Sequence, residues 1–247
     1  MACAGGPDAI NTNLVLALDA ANKVSYPGTG TGWYNLNSTI TSGSVNLNST
    51  IQSGSLKNSP TFNGGNGGSI VFDGTDDYAL IIFSNSSNLI NDPTTNGGII
   101  SFSMWVNVTS NTIGGYIIAS GAQTTSTGMW LATQNGSPQV GIRTNTKYWY
   151  RDITAADFPL NTWINWAITC DNTTMYVYKN GTSYTNTTST AISVSSQFST
   201  LSIGVPNNVL NNYLGNFKIA NLMFYNRALS ATEVLQNYNV TKTRFGL

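Results

Sequence analysis

The chain has 247 residues with ten basic and ten acidic side chains, so its formal net charge at pH 7 is zero, and only 8% of its residues are charged, against about 25% in an ordinary soluble domain. A neutral chain without a Lys/Arg cluster offers no footprint for nucleic acid or for an anionic membrane surface, and no apolar run approaches the ~20 residues that span a bilayer. The chain has no histidine, which removes the commonest general base, the Ser-His-Asp and Cys-His arrangements and His-ligated metals.

Residues 1–13, MACAGGPDAINTN, lack the basic and apolar regions of a secretory signal and are expected to form an arm ahead of one folded domain, 14–239. Asn35–Val45 (NLNSTITSGSV) is followed at once by Asn46–Leu56 (NLNSTIQSGSL). Two copies are too few for a solenoid, so 35–56 is expected to be an elongated surface loop or an added hairpin. In GGSIVFDGTDDYALIIF, Val71-Phe72 ends a strand and Tyr78–Ile82 begins the next. Asp73 can cap the turn between them through nearby backbone amides. A second use of the turn is a hard-cation site, since Asp73, Asp76 and Asp77 offer several oxygens in one loop.

Ile100, Phe102, Met104, Val106 and Val108 fall on one face of a strand, with Ser101, Ser103, Trp105 and Asn107 on the other. In TKYWYRD, Tyr148 and Tyr150 share one strand face and Trp149 takes the other. Sugar sites combine an aromatic platform with a few fixed polar groups, which makes Tyr148, Trp149, Tyr150 and Arg151 candidate ligand contacts, with Arg143 nearby; sandwich core plus an edge aromatic is the competing use. Ile164, Trp166, Ile168 and Cys170 share a face, so Cys170 reads as a buried thiol. Asn180-Gly181 signals a type I′ hairpin. In FKIANLMFY, Phe217, Ile219, Met223 and Tyr225 alternate with Ala220, Leu222 and Phe224, so both faces are apolar. Many short strands with frequent turn signals mean an all-β, two-sheet antiparallel sandwich. One short helix near Ser230–Tyr238 carries a Ser230/Glu233 capping box and an apolar stripe of Val234, Leu235 and Tyr238. In the tail 240–247, VTKTRFGL, Phe245 has no evident core position and Arg244 stands beside it.

The segments NLVLALDAANKVSYPGTGTGWYNL, GSIVFDGTDDYALI, SFSMWVNV, NTWINWAITCDNTTMYVYKNGT and GNFKIANLMFYNRALSATEVLQNYN resemble, in that order, the concanavalin A-like (laminin G-like) jelly-roll family, from about Asn13 to Asn239. The resemblance implies two antiparallel sheets with a curved face, a frequent calcium ion near one rim and frequent sugar binding. The start MACAGGP and the end RFGL also look like proteins encoded by tailed phages. The family includes glucanases, which set facing carboxylates on one strand in a Glu-x-Asp-x-x-Glu type pattern. This chain has one glutamate, Glu233, already used as a helix cap. Asp76 and Asp77 would point to opposite faces of a strand, and Asp152 and Asp157 have no reason to meet, so no carboxylate pair for glycoside hydrolysis is expected.

These features lead to a non-enzymatic virion structural protein, a capsid decoration or a fibre or spike component at the virion surface. A carbohydrate-binding adhesin for host-surface glycans is the alternative. Expected partners are other virion proteins and possible glycans, with a homo-oligomer possible and calcium the one possible cofactor. With so little charge, attachment would use neutral hydrogen bonds and aromatic anchors, with Arg244 and Phe245 as assembly contacts.

Overall fold

Period-two alternation lays down strands whose apolar sides can only be buried against a second sheet. The computed structural model describes residues 8–36, 44–46, 60–82, 99–110, 115–120, 128–134, 137–144, 146–191, 200–205 and 214–247. Residues 1–7 of the arm and most of the duplicated 35–56 segment lie outside these. The first strands are β1 (Leu14–Asp19), β2 (Gly32–Tyr34), β3 (Ser44–Asn46), β4 (Thr61–Asn63), β5 (Ser69–Asp73) and β6 (Ala79–Ile82). Then come β7 (Ile99–Ser110), β8 (Gly115–Ser120), β9 (Gly128–Gln134), β10 (Ser137–Arg143), β11 (Lys147–Asp152) and β12 (Trp163–Asp171). The last are β13 (Thr174–Lys179), β14 (Thr182–Thr188), β15 (Thr190–Ala191), β16 (Thr200–Ile203) and β17 (Asn216–Tyr225), followed by the helix α1 (Ala231–Thr241).

The first sheet runs β14-β13-β12-β7-β17-β5-β4, with β1 also on β17; the second runs β15-β11-β10-β9-β8-β16-β6-β3-β2, and every pairing is antiparallel. β17 serves two partners on one edge: Asn216–Ile219 pair with β5 and Asn221–Tyr225 with β1. The core between the sheets takes Phe102, Met104, Val106, Ile164, Trp166, Ile168 and Cys170 as the alternation requires. At Asn180 and Gly181, φ is 52° and 74°, the two positive values of the expected type I′ turn.

The alternation fails in β17. A register shift in β17 between Ile219 and Asn221 inserts Ala220 as a bulge, and a bulge reverses the parity of everything beyond it. Leu222 and Phe224 therefore join Phe217 and Ile219 in the core, while Met223 and Tyr225 turn outward. The uninterrupted alternation read from the sequence had placed them the other way.

The outward face of the first sheet is covered by the C-terminus. Val234 of α1 packs on Ala167, Tyr178, Met223 and Tyr225. The capping box is present, with Glu233 N donating to Ser230 Oγ (3.3 Å) and Ser230 N to Glu233 Oε2 (2.9 Å). The buried stripe differs from the expected one. Leu235 is 43% exposed and the polar Asn237 is buried instead. Asn237 has a reason to be there: its Oδ1 accepts from Ile10 N (2.8 Å) and its Nδ2 donates to the Tyr225 hydroxyl (3.0 Å), which in turn donates to Ile10 O (2.9 Å). The arm thus docks on the helix from residue 8 onward.

The tail also differs from expectation. Phe245 is buried, its ring 4.1 Å from Trp105 and 4.9 Å from Trp163. Arg244 donates to Asp19 Oδ1 (2.7 Å), to Asn66 O (2.6 Å) and to Gly68 O. Both side chains proposed as contacts to another protein are spent within this one, because the outward face of β7 and β12 carries tryptophans that need a lid. Residues 240–247 belong to the sandwich.

Candidate functional site

Three places gather the residues singled out by sequence. The first is the turn between β5 and β6. Asp73 Oδ1 accepts from Thr75 N (2.7 Å) and Asp76 N (3.4 Å), the expected cap. Asp77 folds inward, is 4% exposed, and accepts from Asp73 N through Oδ2 (3.0 Å). Asp76 and Asp77 lie in the turn and not on a strand, so they do not point to opposite faces as adjacent strand residues would. One oxygen from each of Asp73, Asp76 and Asp77 lies within 4.8 Å of the others. Asp76 Oδ1 and Asp77 Oδ1 are buried without a hydrogen-bond partner. Burial pushes the Asp77 carboxyl up to about 6, helped by the charges of Asp73 and Asp76 and opposed by the Asp73 amide.

The second place is the outward face of the second sheet. Trp149 is fully buried in the core, its Nε1 donating to Thr173 O (3.1 Å), so it is removed from the candidate contacts. Tyr148 and Tyr150 face the other way, half-buried with Trp130, Tyr116, Ala119 and Ala132. Their ring centroids are 5.9 Å apart, Trp130 is 5.9 Å from Tyr148, and the Arg143 guanidinium lies 4.6 Å over the Tyr148 ring. Gly141 pairs with both Tyr150 and Trp130. A Cβ there would sit 2.2 Å from Trp130 Cζ2, so the missing side chain is what lets the indole lie over the strand.

The third place is an open cleft of about 340 Å³ between β11 and β14, lined by Arg151, Asp152, Tyr184 and Thr185. Each polar group there is oriented by another. Arg151 Nε donates to Thr185 Oγ1 (2.9 Å) and the Tyr150 hydroxyl to Asp152 Oδ1 (2.5 Å). Burial, then the Asp152 bond, raise the Tyr150 hydroxyl above its usual range. Tyr184 donates to Asp157 Oδ2 (2.9 Å), which also accepts from Thr154 (2.5 Å), while Lys179 reaches Oδ1 (3.0 Å). The Thr154, Lys179 and Tyr184 bonds hold the Asp157 carboxyl at about 2. Asp152 could have been found from its i, i+2 relation to Tyr150. Tyr184 and Thr185 come from a strand brought over by the fold, and nothing in their local sequence marks them.

Of the remaining tryptophans, Trp33 and Trp166 are core residues, and Trp105 lies under Phe245.

A two-sheet sandwich with a short capping helix is the setting of a family match over residues 73–235 to the concanavalin A-like lectin/glucanases superfamily. The chain belongs to that superfamily. No curated protein sequence matches it. Similar solved structures include the botulinum neurotoxin serotype D binding domain (16% identity, TM-score 0.62, 92% of this chain and 51% of that one). The type G receptor-binding domain is similar too (14%, 0.61, 92% and 51%). So is a serotype D ligand-binding domain in complex with N-acetylneuraminic acid (16%, 0.61, 92% and 51%). At these identities the likeness is one of fold, and this superfamily member spans about half the length of those chains.

Proposed function

We propose that this chain is a non-catalytic binding module whose ligand is a carbohydrate, held at the Tyr148–Asp152 end of the second sheet. The observation that carries the reading is the cleft beside Tyr150, where half-buried tyrosines stand next to Arg151 and Asp152, each oriented by a hydrogen bond before any ligand arrives. Apolar ring faces and a few fixed polar groups are what a saccharide requires. Receptor-binding domains of like fold, one of them in complex with N-acetylneuraminic acid, support the reading by analogy. Catalysis has little to work with. Glu233 is bound by Arg227 through both oxygens (2.6 and 2.9 Å), and Asp157 stays ionised far below neutral pH, so neither can act as a general acid.

Attachment to a virus particle drew on the low charge, the lack of a secretory signal and of a catalytic set, the match to a binding fold and the phage-like ends, with Arg244 and Phe245 as its contacts. Both of those side chains are engaged internally, which leaves the virion reading without its named contacts, and carbohydrate binding becomes the leading reading. A printed glycan array tests the choice: the protein should retain a subset of glycans, and Arg151→Ala should lose them without a change in melting temperature. An empty array together with co-sedimentation on particles would reverse the order.

Calcium at Asp73, Asp76 and Asp77 is part of the same proposal. Three converging carboxylates with two buried, unpartnered oxygens fit a hard, oxygen-seeking cation. A bound ion would supply the positive charge that burial of Asp77 lacks. Millimolar calcium should then raise the melting temperature relative to chelator, as binding to the native state alone requires. Asp77→Asn should remove that shift; no shift in the unmutated protein would leave the segment a turn.

A further inference from the structure

Three Asn-Gly steps lie among the described residues: Asn63-Gly64, Asn66-Gly67 and Asn180-Gly181. An asparagine followed by glycine is open to attack on its own side-chain amide, because no Cβ on the next residue shields that residue's backbone nitrogen. Whether the attack takes place depends on what holds the two groups, and the fold holds the three steps differently.

Asn66 is tied through both ends of its amide. Its Oδ1 accepts from Trp163 Nε1 (3.1 Å) and its Nδ2 donates to Arg244 O (3.3 Å). Asn180 Oδ1 accepts from Asn165 N (2.9 Å), and Gly181 is buried against Tyr238 and Leu235. The backbone also requires glycine at both steps, with φ of 77° at Gly67 and 74° at Gly181. Neither condition holds at Asn63. Asn63 and Gly64 are exposed where a three-residue strand, β4, ends the first sheet. Asn63 Oδ1 accepts from Gly65 N (2.8 Å), a local turn that folds the amide back over the Gly64 peptide. That bond also draws electron density from Asn63 Cγ, the atom under attack. Gly64 has φ −76° and ψ −7°, and a Cβ there would meet Phe62 Cε1 at an ordinary 3.9 Å. Neither backbone nor space calls for glycine at 64.

We propose that Asn63 is a site of spontaneous deamidation, selected by the fold over Asn66 and Asn180. The Gly64 N–H gives its proton to hydroxide, and the nitrogen bonds to Asn63 Cγ. The Cγ–Nδ2 bond breaks, and the amide nitrogen takes a proton from water and leaves as ammonia. Water then opens the succinimide ring at either carbonyl, which leaves an aspartyl or isoaspartyl residue at position 63. The net change is hydrolysis of one amide, with no oxidant or cofactor. It sets a carboxylate, and in the isoaspartyl form an extra backbone atom, just ahead of the loop whose Asn66 O and Gly68 O receive Arg244.

Peptide mapping by mass spectrometry, after incubation of the folded protein at mildly alkaline pH, tests the proposal. The mass gain of amide hydrolysis should accumulate at Asn63 about tenfold or more faster than at Asn66 or Asn180. In strong denaturant the three rates should converge, since the local step is the same. Gly64→Ala should keep the parent's melting temperature and slow conversion at Asn63 by about tenfold. Asn66 or Asn180 converting as fast as Asn63 in the folded protein overturns the proposal, and so does a Gly64→Ala protein that converts at the parent's rate. A preference for Asn63 that survives denaturation belongs to the sequence and not to the fold, and overturns it as well.

Discussion

Asp77 pays for its position in the turn with its ionisation. Its carboxyl rises from 3.8 to about 6 in the folded protein, chiefly through burial. Without calcium, the native state therefore holds a proton between these values that the unfolded chain has released. Stability is fully present below about pH 4 and is lost as pH rises through about 6, by about 3 kcal/mol at about 1.4 kcal/mol per tenfold change in proton affinity. Urea unfolding in chelator across this range should show that decline, and Asp77→Asn should flatten it. Gly141 is the second residue whose chemistry is positional. Gly141→Ala would drive a methyl into Trp130 and should cost about 1–3 kcal/mol, the usual range for overpacking. The loss should appear in urea melts together with a shifted tryptophan emission.

At the scale of elements, α1 is held by its first turn. Ser230→Ala removes the Oγ that accepts from Glu233 N and should cost about 0.5–2 kcal/mol in chemical unfolding. Glu233 does double duty in the capping box and in the pair with Arg227. The Arg227 bond, foremost, lowers its carboxyl from 4.5 to about 2. A depressed carboxylate contributes stability that is present above about pH 4.5 and lost as pH falls toward 2, so Glu233→Gln should lose stability near neutrality and converge with the parent in acid. The capping box was legible from Ser230 and Glu233 three residues apart. The buried Asn237 was not, because its partners Ile10 and Tyr225 are distant in sequence and the burial of an amide follows only from their meeting.

For the whole molecule, the C-terminus closes what the sandwich leaves open. Phe245 stacks on Trp105 and Trp163, and Trp105 Nε1 donates to Thr241 Oγ1 (2.8 Å). Deleting residues 241–247 would bare both indoles and free Asp19 of its Arg244 partner. The truncated chain should melt well below the full one, and Phe245→Ala alone should cost about 3 kcal/mol, the lower end for a buried phenylalanine. A truncation that melts like the parent would return the tail to the role of an attachment segment.

The sequence by itself determined the sandwich, the single helix and its cap, the Asn180-Gly181 hairpin, the burial of Cys170 and the Asp73 turn. All of these rest on spacings of a few residues, which local geometry converts directly into a face or a turn. Tertiary structure decided the rest. One bulge at Ala220 exchanged the two faces of β17 beyond it, and no alternation rule carries an inserted residue. Phe245 looked like an unplaced anchor until Trp105 and Trp163 arrived beneath it. Tyr148, Trp149, Tyr150 and Arg151 are consecutive, yet the pleat sends them to an outward face, a core and a cleft, and only the approach of β14 supplies Thr185 and Tyr184 to complete the last. Residues adjacent in a strand point apart, so a site on a sheet is assembled from neighbours in space, and the chain alone does not say which strands will be neighbours.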